Sequence, residues 1–252
     1  MNGNVLFEIK DLQKKFGSLT VFDGLSETIC KGDVVVIIGP SGGGKSTFIR
    51  CLNLLEQPTA GKIYFEGEDI TAKGFDVNRH RQKVGMVFQQ FNLFNNLTVL
   101  ENITISLTKV KKQSEEESKE KALKLLKRVG LEDKANAYPS QLSGGQKQRL
   151  ALAVNLVTHK DIYVFDEATS NIDIESEAVI MKNIKAISES KSVIVISHRL
   201  ANVVPADNIY YMEEGEIKES GSHEKIMAAR QGYARLYTAQ KTLEQAYAEV
   251  VA

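Results

Sequence analysis

Short apolar runs punctuate the chain at Val34–Ile38, Val84–Phe88, Ile162–Phe165 and Val193–Ile196. Each is the length of a buried strand, and the stretches between them carry helical or mixed spacing, so the pattern predicts an α/β fold. Ahead of the first run, Val5, Phe7 and Ile9, then Val21, Leu25 and Ile29, alternate with polar residues about a turn at Phe16-Gly17-Ser18. They predict a small antiparallel sheet leaning on the Val34–Ile38 strand. A turn at Pro58–Gly61 leads into a hairpin of Lys62–Phe65 with Glu66–Asp69, and Arg79–Lys83 reads as a solvated basic helix end.

Further along, Thr98 with Glu101 predicts a capped helix start. Lys109–Arg128 reads as a charged helix with Glu115/Lys119, Glu117/Lys121 and Glu120/Lys124 spaced to pair, and Leu123, Leu126 and Val129 facing inward. Leu150, Leu152, Val154 and Leu156 mark another helix. Thr169–Asp173 is then a turn, Ile174–Ile187 a helix, and Asn208–Glu213 with Glu216–Glu219 a closing hairpin. The tail from His223 is helical and suggests no function.

Composition adds exclusions. Lys plus Arg equals Asp plus Glu at 32 each, so net charge does not point to nucleic acid. The apolar runs fall far short of the ~20 residues of a membrane helix, and the first ten residues do not form a signal peptide. Cys30 and Cys51 lack metal-ligand spacing and are expected to be reduced and inert.

The chemistry concentrates where strands end. After Val34–Ile38 comes GPSGGGKST, a match to GxxxxGK[ST] between a strand and a helix. Gly42, Gly43 and Gly44 let the backbone wrap a polyphosphate with its N–H groups turned inward. The helix beginning near Lys45 adds its dipole, Lys45 reaches the β- and γ-phosphates, and Ser46 can ligate Mg²⁺. A nucleoside triphosphate is the implied ligand. A second helix start of this kind, Ser143-Gly144-Gly145-Gln146 in LSGGQ, offers bare N–H groups again. One phosphate can use both only if they come from facing surfaces. Asp166 ends the Ile162–Phe165 strand, suited to holding Mg²⁺ through its water, and Glu167 is a candidate base for an attacking water. Gln89 and Gln90, and His198, follow other buried strands, at the edge where α/β sheets bind ligands.

With GPSGGGKST, Gln89, LSGGQ, FDEATS and SHR in that order, residues 5 to 240 resemble the nucleotide-binding subunit of an ABC transporter. The resemblance implies a P-loop NTPase with a RecA-like core, an antiparallel β subdomain and a helical subdomain. All lie in one domain over 1–252, with 1–90 and 161–252 as core plus β subdomain and 91–160 as the helical part carrying the signature. It also implies an ATPase that works as a head-to-tail, ATP-dependent homodimer on transmembrane permease subunits, at the cytoplasmic face of the membrane. Each ATP would lie between the loop of one subunit and the signature of the other. Phe16 would stack on adenine. Gly39, Ser41, Gly42, Gly43, Gly44, Lys45, Ser46 and Thr47 would hold the phosphates, with Ser143, Gly144, Gly145, Gln146 and Asp173 contributing across the interface. Mg²⁺ would be held by Ser46 and Gln89 with Asp166 behind its water shell, and Glu167, His198, Lys45 and Gln89 would serve catalysis.

The first part, including IRCLNLLEQPTAGKIYFEGEDI and MVFQQFNLFNNLTVLEN, resembles polar amino-acid importers. The second, DEATSNIDIESE and VISHRLANVVPADNIYYMEEGEIKESGSHE, resembles exporter cassettes. Ala168 stands where the importers have proline, Asn171 and Ile172 where they have Ala-Leu, and Val154 where an arginine is common. A mosaic with a join near Arg149–Asp161 is expected, natural or engineered. An importer subunit, an exporter cassette, an uncoupled ATP-binding scaffold and a soluble non-transport ATPase are the readings left open.

Overall fold

The computed structural model describes residues 4–169, 172–197 and 203–251. Its contacts divide the chain into two compact units, Met1–Gln82 with Lys191–Ala252, and Lys83–Ser190.

In the first unit, β1 (Val5–Phe16) and β2 (Leu19–Cys30) form an antiparallel hairpin. β4 (Ala60–Phe65) pairs antiparallel with the other edge of β1, and β5 (Glu68–Asp69) closes the sheet. A second sheet centres on β3 (Val34–Ile38), with β8 (Ser192–Ile196) and β9 (Asn208–Glu213) parallel to it on either side. β10 (Glu216–Gly221) returns antiparallel along β9. The α/β class and the presence of antiparallel and parallel sheets are as the hydrophobic pattern predicts. β3 is apolar throughout because both its faces are buried, leaving Val35, Val36, Ile37 and Ile38 at most 1 % exposed.

Helix α1 (Lys45–Leu52) follows β3 and buries Phe48, Ile49, Cys51 and Leu52. Its open C-terminal carbonyls are met by α2 (Val77–Lys83). His80, buried, donates from Nε2 to Leu52 O at 2.8 Å, and Arg81 donates to Asn53 O and Leu54 O at 3.3 and 2.7 Å. The expected solvated basic end is therefore a C-cap for a neighbouring helix, where donors and positive charge are favoured.

The second unit pairs β6 (Val84–Val87) in parallel with β7 (Ile162–Asp166) and packs helices with them. The capping box expected at Thr98 and Glu101 opens α3 (Val99–Ile105). The charged helix differs from its expected extent. Ser106–Val110 is a π-helical turn, the chain breaks, and α4 (Glu115–Arg128) starts afresh with Ser114 as its cap. Of the expected pairs, Lys124 meets Glu120 at 2.6 Å, while Lys121 reaches back to Gln113 instead. Leu126 and Val129 are buried, but Leu123 is 39 % exposed; Ser118 and Ala122 face inward in its place. Ser118, Ala122, Leu126 and Val129 recur at intervals of four, four and three along one helix face, and Leu123 falls at the border of that face. α4 ends in a Schellman turn: Gly130 takes φ +65°, Leu131 N–H donates to Leu126 O, and Gly130 N–H to Lys127 O.

Then come α5 (Gly144–Leu156) and α6 (Ile174–Ser188) in the second unit, and α7 (His223–Ala228) and α8 (Gly232–Val251) in the first. None of the described helices is long and apolar enough to cross a membrane.

Candidate functional site

β3 delivers the glycine-rich loop. A side chain at Gly39 would overlap the carbonyl of Met212 in β9, and Gly39 sits at φ +149°. This glycine is required by close backbone approach. Gly44, at φ +95°, is the N-cap of α1, where only a residue without Cβ adopts that angle cheaply. Gly44 makes no side-chain cap and the first turn of α1 holds no acid. By contrast α3, α4, α5, α6 and α7 are each capped by their own Thr98, Ser114, Ser143, Asp173 or Ser222. The N-terminal dipole of α1 thus faces a loop with no internal anion. Lys45, only 5 % exposed, donates from Nζ to Gly39 O and Pro40 O, both at 2.8 Å. Ser41 and Gly42 are exposed at the loop tip, Gly43 is buried, and Ser46 and Thr47 are half-buried.

Phe16 ends β1 with 45 % of its surface exposed. The ammonium of Lys14 lies 4.3 Å from its ring centroid. β2 then runs against the loop: a Cβ at Gly44 would lie 3.1 Å from Val21 Cγ1 and 3.5 Å from Phe22 Cδ1.

In the second unit, β6 ends just before Gln89 and Gln90, both exposed. The turn of α5 that follows Ser143–Gln146 meets this segment on either side of the two glutamines in sequence. Gln148, 2 % exposed, donates to Phe88 O at 3.1 Å, and Lys147 stands 6.0 Å from the Phe91 ring centroid. Asn155 accepts from Met86 N–H at 3.1 Å. At the start of α5, Ser143 Oγ accepts from Gln146 N–H and Gln146 Oε1 accepts from Ser143 N–H, a capping box. The Ser143 hydroxyl hydrogen is still available for an outside acceptor. Gly145 has no room for a side chain, because Asp173 and Ser176 at the start of α6 fill that space.

Asp173 caps α6 by accepting from Ser176 N–H at 2.7 Å, and that N–H holds its carboxyl below the usual carboxylate range. In this chain it touches its own signature helix, a role its sequence position did not reveal. Asp166, 2 % exposed, closes β7. Glu167 follows with φ +50°, a costly angle for a residue with a Cβ, and is half-buried. His198 lies outside the described residues, as do Ser170 and Asn171 of the segment after Glu167.

Sequence reasoning missed Lys14, Gln148 and Arg149. Lys14 sits two places after inward-facing Leu12 in β1, so alternation carried the signal. Arg149, 9 % exposed, donates to Val129 O and Gly130 O at 3.0 and 3.1 Å, the carbonyls ending α4. These are long-range partners that spacing does not encode.

The loop fits a polyphosphate: a buried ammonium and an uncapped helix start face its interior. Ser46 in the first unit, and Gln89 and Asp166 in the second, each carry an oxygen group of the kind a hard cation such as Mg²⁺ takes. No group of three or more His, Cys, Asp or Glu able to hold a metal occurs among the described residues.

The family model for the ABC transporter matches residues 22–170. The arginine transport ATP-binding protein ArtM of Bacillus subtilis is 43 % identical over 219 residues, 86 % of this chain and 91 % of the relative. The glutamine transport ATP-binding protein GlnQ of Geobacillus stearothermophilus is 42 % identical over 86 % of this chain and 90 % of its own length. Among solved structures, the ATP-binding cassette MJ0796, dimeric and bound to ADP and Pi, superposes with a TM-score of 0.79 at 33 % identity, over 86 % of this chain and 98 % of that one. An Atm1-family bacterial exporter with ATP bound superposes at 0.83 and 28 % identity, over 95 % of this chain and 42 % of that one. With the phosphate loop, the capped LSGGQ helix and the Asp166-Glu167 strand end all in place, the chain belongs to the ABC transporter family as one of its ATP-binding cassettes, an ATPase with the P-loop NTPase fold.

Proposed function

We propose that this cassette powers uptake of polar amino acids through transmembrane permease subunits, docked at the cytoplasmic face of the membrane. The observation that carries this is the near full-length match to relatives named for arginine and glutamine transport. A match of 219 residues necessarily crosses Arg149–Asp161, so a single relative named for arginine transport aligns through the segment where a join is expected. Within the second unit that segment is tied to the chain before it, by Arg149 to Val129 and Gly130, Asn155 to Met86, and Asp161 N–H to Lys83 O.

In this reading Lys45 and the N–H groups from Gly39 to Thr47 hold the β- and γ-phosphates. Phe16 stacks on adenine. Ser46 and Gln89 would hold Mg²⁺, with Asp166 behind its water, and the ion would offset charge on the phosphate oxygens. Glu167, held at a strained backbone angle by a buried strand, takes the proton of the attacking water, with His198 on the γ-phosphate. Ser143 to Gln146 complete the partner's site in a head-to-tail dimer, Asp173 lies at the same interface, and 91–160 serves as the helical subdomain. Catalysis is then mostly positioning and charge stabilisation. An exporter role is the second reading, supported by the superposition on the Atm1-family exporter and by the segment after Glu167.

Uptake of labelled arginine, glutamine and cystine by cells lacking the gene tests the assignment. Loss of at least one uptake, restored by the wild-type gene and not by Lys45→Ala, is expected. Intact uptake of all three together with impaired efflux of a toxic compound would transfer the assignment to export.

A further inference from the structure

Lys14 is the one lysine of β1 that is buried, at 7 % exposure, and burying an ammonium is costly unless it is neutralised and hydrogen-bonded. Two groups do this: Glu56 Oε2 at 2.9 Å and Gln57 O at 2.8 Å. Its third neighbour is the ring of Phe16, whose centroid lies 4.3 Å away, within cation–π range. Phe16 has no such shelter, being 45 % exposed at the strand tip. The backbone beside it is fixed, since Lys15 N–H donates to Thr59 Oγ1 at 2.9 Å and Thr59 N–H to Gln13 O at 2.7 Å. Glu56 is anchored in turn, its N–H donating to Arg50 O in α1 at 3.2 Å. A continuous path therefore runs from the phosphate-loop helix through Glu56 and Lys14 to the exposed ring.

We propose that Lys14 is a positioning residue for the nucleobase: its ammonium covers one face of Phe16 and fixes the ring relative to α1, leaving the opposite face to a purine. The proposal rests on Phe16 being the base contact. A free aromatic at a strand tip turns about its side-chain torsions, and a base would have to stop that motion on binding. A ring already clamped from behind loses less freedom, so stacking contributes more of its value.

The test separates base from phosphate by comparing ATP with inorganic tripolyphosphate, both with Mg²⁺, on the intact chain by isothermal titration calorimetry. Lys14→Met should weaken ATP binding by about three- to tenfold and leave tripolyphosphate binding unchanged. Lys14→Arg, which keeps a cation under the ring, should restore most of the loss. Glu56→Gln, which frees the ammonium without removing it, should give an intermediate loss and a folded control if Lys14→Met does not fold. Wild-type ATP affinity retained in both Lys14→Met and Glu56→Gln overturns the proposal, and so does an equal loss for both ligands, which marks a structural lysine. If wild-type protein itself binds ATP no more tightly than tripolyphosphate, Phe16 is not the base contact, and that reading and the proposal fall together. If it binds neither, the phosphate-loop assignment fails instead.

Discussion

Lys45 shows how much chemistry one side chain concentrates. Its ammonium is buried and satisfied by the carbonyls of Gly39 and Pro40, so the charge is held in the loop before any phosphate arrives. Lys45→Ala should weaken ATP binding at least ~100-fold, since a buried cation facing a phosphate is worth several charge-assisted hydrogen bonds; fluorescent nucleotide titration reads it, and binding within a few-fold of wild type would contradict it. The loop's role was legible because strand, glycines, lysine and hydroxyl are consecutive. For Lys14, the alternation of β1 carried its burial but not its role, because its partners Glu56 and Gln57 come from beyond α1. Lys160 gives a prediction in pH. Burial, with Lys111 nearby as a lesser cause, pushes its ammonium down to about 8, against roughly 10.4 in an unfolded chain. Between those values the unfolded state binds more protons, so this group's penalty is full below pH 8 and fades as pH rises toward 10.4. Lys160→Met should therefore raise the melting temperature at pH 7 by a few degrees, and the gain over wild type should shrink by pH 10. A gain independent of pH would show that packing, not charge, is responsible.

Among the elements, α5 connects more parts than its sequence suggests. Its first turn carries the signature residues, its second holds the backbone beside Gln89 through Gln148, and Arg149 closes α4. Arg149→Met leaves two carbonyls without their donor and should lower stability by about 1–3 kcal/mol, read by urea denaturation. Gln148→Leu is expected to behave differently: ATP affinity within about twofold of wild type, because Gln148 belongs to a different unit from Lys45 and Phe16, but turnover reduced several-fold with a raised Mg²⁺ requirement. Unchanged turnover at limiting Mg²⁺ would remove Gln148 from the account of Gln89. The helices themselves were legible where a cap announces them, as at Thr98 and Ser143. The start of α4 was not, because the lysine-rich run Lys109–Lys112 continues the helical composition through a π-turn and a break, and only Ser114 marks the new start. Likewise the basic run at Arg79–Lys83 looked solvated because its acceptors are backbone carbonyls, which leave no trace in composition.

For the whole molecule, two helix starts suited to phosphate, one uncapped at Gly44 and one boxed at Ser143, are one more than a single ATP requires in one chain. The proposed head-to-tail pair of chains would resolve this by giving each ATP one start from each subunit. Dimerisation should therefore follow ATP binding and precede hydrolysis. Glu167→Gln keeps the side-chain volume and removes the proposed base, so it should bind ATP, accumulate the closed dimer and slow turnover by about 10²-fold or more. Size-exclusion chromatography of Glu167→Gln with and without ATP-Mg²⁺ measures this directly. The account predicts a monomer without nucleotide and a dimer with it; a chain that binds ATP yet stays monomeric would contradict the composite site.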